Sequence, residues 1–296
     1  MLDTVREFAA EHAGADDDLA SIERRHAGYF LSYCERTAEQ AARTDQRQWL
    51  DLLARERPNV RLAFDRLLRA GATDEALRVA IAFARALPWD AHAHEVRGWL
   101  AQALAASPPP APTLRAVGLY WDGALALSMG LFGDAAEQLT DALTAAWEVE
   151  DRTTEAAALA ALGRRAILTS AAVAAELCEA ALSAARHVGD PTLIADALLT
   201  SAGACERSKA WQRAGELASQ ALELYRTVGD PYGAAWALAE LGWYDLIHGR
   251  LDASEQHLGE ALELRRRHGD DRRLVEPLID HAWLMLRCRC SSSGSC

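Results

Sequence analysis

The chain repeats itself at a fixed interval, and that interval limits the folds open to it. RHVGDP at residue 186 returns as RTVGDP at residue 226, and its glycine and aspartate return again in RRHGDD at residue 266. Asp190, Asp230 and Asp270 are therefore spaced by 40 residues, and Asp151 precedes the first of them by 39. Nine residues before each aspartate stands an Ala-Leu pair: Ala142-Leu143, Ala181-Leu182, Ala221-Leu222 and Ala261-Leu262. A turn and a helix are being copied together. Self-similarity at this period marks a solenoid, in which each supersecondary unit buries its apolar face only against its neighbours.

One unit, residues 231–270, shows what is copied. PYGAAWALAELGWYDLIHG places Ala235, Leu238, Leu241 and Leu246 close to a helical period, and Gly249 ends the pattern. This predicts a first helix, A. LDASEQHLGEALELRRRHGD continues the period through Leu251, Leu258, Ala261, Leu262 and Leu264, with Arg265, Arg266, Arg267 and His268 in the last turn, where cations favour the helix dipole. This predicts a second helix, B. Gly269 can take a left-handed cap, and the aspartate after it can cap the next helix or brace the turn. Pro191 and Pro231 suit the first turn that follows, where the missing donor would be orphaned anyway.

Small residues recur where the two helices must meet. Gly123, Ala202 and Gly242 lie 19 residues before the alanine of the Ala-Leu pair, with Gly163 one residue off. Ala135, Ala174, Ala214 and Ser254 mark the first turn of each helix B. Leu162-Gly163 and Leu241-Gly242 in helix A, with two spaced alanines in helix B, resemble the tetratricopeptide repeat over about residues 74–287. The unit exceeds that family's length of about 34 residues, which implies longer B helices and a wider turn. The expected fold is all-α, a right-handed α-solenoid of antiparallel helix pairs preceded by a helical linker. Its units fall near 74–107, 114–151, 152–190, 191–230 and 231–270, with a partial one at 271–287. SPPPAP, from Ser107 to Pro112, is a stiff break before the regular units.

Composition excludes several classes of function. The net charge of −12 argues against a general grip on nucleic acid, which needs clustered cations. Apolar runs such as LRVAIAFARALPW are interrupted by Arg78 and Arg85, and none approaches the ~20 residues of a bilayer span. MLDTVREFAA has no basic stretch followed by an apolar one, so no secretory signal is expected and the address is cytoplasmic. Cys34, Cys178 and Cys205 fall inside helical patterns and read as small, free core residues. Cys288, Cys290 and Cys296 belong to CRCSSSGSC, a flexible tail at 288–296 that matches no metal-ligand spacing, even with His281 upstream.

The first 72 residues carry a second resemblance. MLDTVREFAAEHA, then RRHAGYFLSYCERTA, then WLDLLARERPNVRLAFDRLLRAG resembles the junction after the nucleotide-binding and winged-helix domains of large actinobacterial regulators of the STAND type. These are signal-transduction ATPases with numerous domains, LuxR/SARP-like and MalT-like, in which helical repeats follow. The resemblance makes 1–15 the end of a winged-helix domain, 16–72 a helical linker and 73–287 the sensor array. It implies an arm that receives a signal and controls assembly or transcription.

No chemistry of its own is legible. A phosphate loop needs G-x-x-x-x-G-K-[ST], and the one lysine, Lys209 in ERSKAW, has no glycine before it and alanine after it. G-x-S-x-G does not occur. His92 and His94 in WDAHAHE, with Asp90 and Glu95, suggest a metal set, but alternating positions diverge on a helix and a solvated loop is the simpler reading. Asp16, Asp17 and Asp18 read as solvated charge in a polar loop. No catalytic residue, metal or cofactor is expected.

What remains is recognition. In the tetratricopeptide fold helix A lines the concave wall beside the small glycine site, and the resemblance carried onto this sequence implies Tyr120, Trp121, Arg164, Asp196, Arg207, Trp236, Glu240, Trp243, Asp280 and Trp283. Trp243 and Trp283 fall at one place in successive units. With carboxylates beside them they could hold an extended basic or aromatic segment, or they could fill space between units. Three functions stand: a regulatory module binding a protein, peptide or small effector; a free-standing adaptor; or, distantly, an enzyme hidden in a helical array. No nucleic-acid or membrane contact is expected. LVEPLIDHAWLMLR begins a helix A with no helix B after it, and that uncapped apolar end would favour self-association.

Overall fold

The computed structural model describes residues 16–41, 46–86 and 92–267, and among these every regular element is a helix. They are α1 (Asp16–Ala41), α2 (Gln46–Arg69), α3 (Thr73–Ala86), α4 (Ala93–Leu104), α5 (Pro112–Ser128), α6 (Phe132–Glu148), α7 (Arg152–Ile167), α8 (Ala171–Val188), α9 (Pro191–Arg207), α10 (Trp211–Val228), α11 (Pro231–Ile247) and α12 (Leu251–Arg267). The partial unit at 271–287, the tail and residues 1–15 lie outside the described residues. Consecutive helices pair as antiparallel hairpins, and each odd-numbered helix also packs on both helices of the hairpin before it. Odd helices thus touch one another in succession, whereas consecutive even helices share no comparable contact. The array is an α-solenoid with its odd helices crowded along one wall and its even helices spread along the other. The pair α1/α2 joins this stack through α3, and its Phe30, Leu53 and Phe64 share one apolar cluster with Phe83 and Trp99.

The turns form as their residues dictate. Gly189 and Gly229 end α8 and α10 in the left-handed conformation, at φ 77° and 74°. The next residue caps the following helix: Asp190 accepts the amides of Thr192 and Leu193 at 2.7 and 3.4 Å, and Asp230 those of Tyr232 and Gly233 at 2.9 and 3.1 Å. Asp151 does the same for Thr153 and Thr154, both at 3.1 Å. Pro191 and Pro231 open α9 and α11. The extra length of the unit lies in the helices, 17 residues in α9 and 18 in α10, while residues 208–210 and 229–230 suffice for the turns. The wider turn expected from the 40-residue period does not form, because the helices themselves absorb the length.

The small positions are where helices interlock. A Cβ on Gly123 would sit 2.7 Å from Leu139 Cγ, one on Gly242 2.6 Å from Leu258 Cγ, and one on Gly163 3.1 Å from Cys178 Sγ. In register, the hairpin whose helix A carries Ala202 has Ala218 in place of that leucine, so a methyl added on one helix is matched by bulk removed from the other; both alanines are buried. Ser254 adds a hydrogen bond across the last pair, its hydroxyl donating to the Gly242 carbonyl at 2.8 Å. Cys34 and Cys178 are buried free thiols, and burial pushes their pKa up to about 12 and about 11, so both stay protonated and act as small apolar residues.

Two predictions follow from this packing. Gly242→Ala overpacks its site, at a cost of about 1–3 kcal/mol, and Leu258→Ala leaves a cavity, at about 2–5 kcal/mol; the double variant should cost clearly less than the sum, because it recreates the Ala202–Ala218 pair. Chemical denaturation of the four proteins measures this, and strict additivity would contradict the interlock. Glu150 takes φ 57° at the turn position filled elsewhere by Gly189 and Gly229. Left-handed backbone costs a residue with a Cβ about 1 kcal/mol, so Glu150→Gly should stabilise the fold by a comparable amount, read as a higher denaturation midpoint.

Candidate functional site

The residues expected on the concave wall fall on the odd helices: Tyr120 and Trp121 on α5, Arg164 on α7, Asp196 and Arg207 on α9, and Trp236, Glu240 and Trp243 on α11. Asp280 and Trp283 lie outside the described residues. Register explains the grouping. Arg164, Gly203 and Trp243 each follow the small position of their helix by one residue, and Asp196 and Trp236 each precede it by six.

The structure joins these side chains into two groups. In the first, Tyr225 reaches from α10 between two hairpins and its hydroxyl donates to Asp196 Oδ1 at 2.6 Å. Burial raises the Asp196 carboxyl above the usual range, while the Tyr225 bond and the nearby Arg164 guanidinium hold it down. Burial also raises Tyr120, again opposed by Arg164, and raises Tyr225 well above the ordinary phenol value, so Tyr225 remains a donor at every ordinary pH. Tyr120 packs edge-on against Trp121, with centroids 5.3 Å apart and planes at 69°. The Tyr225 ring has its place only because Gly233 is bare: a Cβ there would lie 2.2 Å from Cδ1 and Cε1.

In the second group, the Trp243 indole donates to Glu206 Oε1 at 3.1 Å and the Tyr244 hydroxyl donates to Glu206 Oε2 at 3.5 Å. Trp236 donates to Glu240 Oε1 at 3.2 Å. Trp236 and Trp243 are each half-buried and pack against the apolar core of α9–α11. Each therefore packs and is presented at once. Arg207 stands exposed at the end of α9 and joins neither group.

Sequence reasoning missed Glu206, Tyr225, Tyr244 and Gly233. Glu206 could have been found as the carboxylate nearly one repeat before Trp243. Tyr225 breaks a small-residue column, following Ala146 and Ala185 at the same place in helix B. The histidine motif takes a different course: Arg57 Nη1 donates to His92 Nδ1 at 2.7 Å and to Glu95 at 3.3 Å, and Arg61 to Glu95 at 3.1 Å. Among the described residues no three His, Cys, Asp or Glu side chains converge as a metal site would require. A groove of about 380 Å³ opens between α1, α3 and α5, lined by Glu35, Arg78, Ile81, Arg85, Leu114 and Val117. It contains none of the expected wall residues. No helix among the described residues is long and apolar enough to cross a membrane.

Gly233→Ala should expel the Tyr225 ring and break its bond to Asp196, destabilising the protein by about 1–3 kcal/mol. Tyr225→Phe removes only the hydroxyl and should cost less. Thermal denaturation of both variants checks the order, and a harmless Gly233→Ala would show that the ring is not confined.

Comparison with known proteins supports the architecture. Residues 193–267 match the family model of the tetratricopeptide repeat. No curated protein sequence is matched. Among solved structures, a Signal Transduction ATPase with Numerous Domains (STAND) protein with a tetratricopeptide repeat sensor from Pyrococcus horikoshii superposes with a TM-score of 0.56 at 13% identity, covering 94% of this chain and 44% of that one. The apo form of RapI superposes with a TM-score of 0.50 at 15% identity, covering 90% of this chain and 72% of that one. The chain thus spans less than half the length of the STAND protein it resembles. Sequence and structure agree on the fold, a tetratricopeptide-like α-solenoid.

Proposed function

We propose that the chain is a non-catalytic recognition arm whose odd-helix wall binds a protein or peptide segment, or an effector. The arm passes the bound state to ATPase and DNA-binding domains of a STAND-type transcriptional regulator, in the same chain or a separate one, in the cytoplasm. The observation that carries this reading is the wall itself. Tyr120, Trp121, Arg164, Asp196, Trp236, Glu240 and Trp243 all belong to the odd helices α5, α7, α9 and α11, and among them aromatic rings stand beside oriented polar groups, which supports a binding wall. The likeness to a STAND protein's repeat sensor supports the regulatory context as a matter of fold. The segments quoted from residues 1–72 support it in sequence.

A free-standing adaptor is the second reading, favoured by the same wall without the motor. The reading frame upstream separates the two: fusion to a nucleotide-binding domain supports the first. On either reading nucleotide hydrolysis by this chain should not exceed background.

Trp243→Ala should abolish recovery of the partner from cell extract while leaving helical content unchanged by circular dichroism. Undiminished recovery would remove the wall from the account.

A further inference from the structure

We infer that the α9–α11 end of the wall is a subsite for a cationic side chain, the guanidinium or ammonium of an Arg or Lys in an extended partner segment. The inference rests on the concave-wall reading and gives that wall a chemistry. Glu206 is held on both oxygens by aromatic donors, the Trp243 indole on Oε1 and the Tyr244 hydroxyl on Oε2. Such donors fix the direction of a carboxylate without cancelling its charge. Among the described residues, no lysine or arginine forms an ion pair with Glu206. On α11, Trp236, Glu240 and Trp243 are separated by four and three residues and so share one face, with the Trp236 indole directed onto Glu240. Two half-buried rings and two oriented carboxylates are the parts from which proteins build sites for organic cations.

One position beside the pair carries no side chain of its own. Gly203 stands on α9 in register with Trp243 on α11 and Arg164 on α7. A Cβ at Gly203 would meet only the flexible end of Ile167, at 3.1 Å. The wall is therefore low at Gly203, between a cation on one side and the Glu206–Trp243 pair on the other. That asymmetry sets polarity: the segment's basic residue lies toward α11, and Arg164 disfavours a second basic residue on the α7 side.

The test uses three fluorescein-labelled peptides of equal length, with a single Arg, Glu or Gln in a Gly-Ser background, measured by fluorescence polarisation at 150 mM NaCl. The Arg peptide should bind saturably and the other two should not. Glu206→Gln, nearly isosteric, and Trp243→Phe, which keeps a ring but loses the N–H, should each weaken binding about tenfold. Gly203→Leu should block it with helical content retained. The control is Glu179→Gln, an equal charge change on an exposed face of α8, which should alter affinity less than twofold. Equal weakening by Glu206→Gln and Glu179→Gln would show only the diffuse field of a chain of charge −12 and would overturn the subsite. So would an absence of saturable Arg-peptide binding. Either failure leaves the wall itself to be judged by partner recovery on Trp243→Ala.

Discussion

The close approach of the two helices in each hairpin is the constraint on which the rest of the molecule depends. A glycine on helix A receives the side chain of helix B one turn past that helix's own small residue: Leu139 against Gly123, Cys178 against Gly163, Leu258 against Gly242. The distances leave no room for a methyl at Gly123 or Gly242 without displacement. Where alanine takes the glycine's place at 202, the facing residue shrinks to Ala218. In each pair at least one side is glycine or alanine, so the two backbones approach closely whichever residue faces it. Hairpins built this way are thin, and thin hairpins stack at a repeat distance that lets each odd helix touch the next. The wall of odd helices is a consequence of that stacking.

Stacking also explains why the wall can carry polar groups. Most of the apolar area is buried inside and between hairpins by alanine and leucine, so the inner surface of the odd helices is free to hold residues that packing does not dictate. Two such groups occur, and they differ. Asp196 and Tyr225 form a short bond inside the array, with Arg164 beside it, and that group reads as a brace between hairpins. Glu206 and Glu240 are half-buried beside Trp243 and Trp236, each carboxylate accepting from a neutral indole donor.

The sequence made the local physics legible and the lateral physics much less so. Asp151, Asp190 and Asp230 could be assigned as caps because a cap is decided within three residues. The glycines and alanines of the hairpin could be placed because they recur in phase. The odd-helix residues could be grouped once the period was known, since one register fixes them all. Partners across a repeat were another matter. Glu206 meets Trp243 over 37 residues, and nothing in periodicity says which rotamer of a glutamate one hairpin away will turn toward an indole. Tyr225 was missed because it belongs to an even helix and reaches the inner side only by passing the bare Gly233. The extra length of the unit was expected in longer B helices and a wider turn; the helices lengthen as expected and the turns stay short.

Hydrogen–deuterium exchange, resolved along the chain with and without the partner protein recovered from cell extract, tests the central claim most directly. Recognition by the inner wall predicts added protection in α9 and α11, extending to α7, with α6, α8 and α10 unchanged on their outer faces. Protection confined to the even helices would place recognition on the opposite wall and contradict the account.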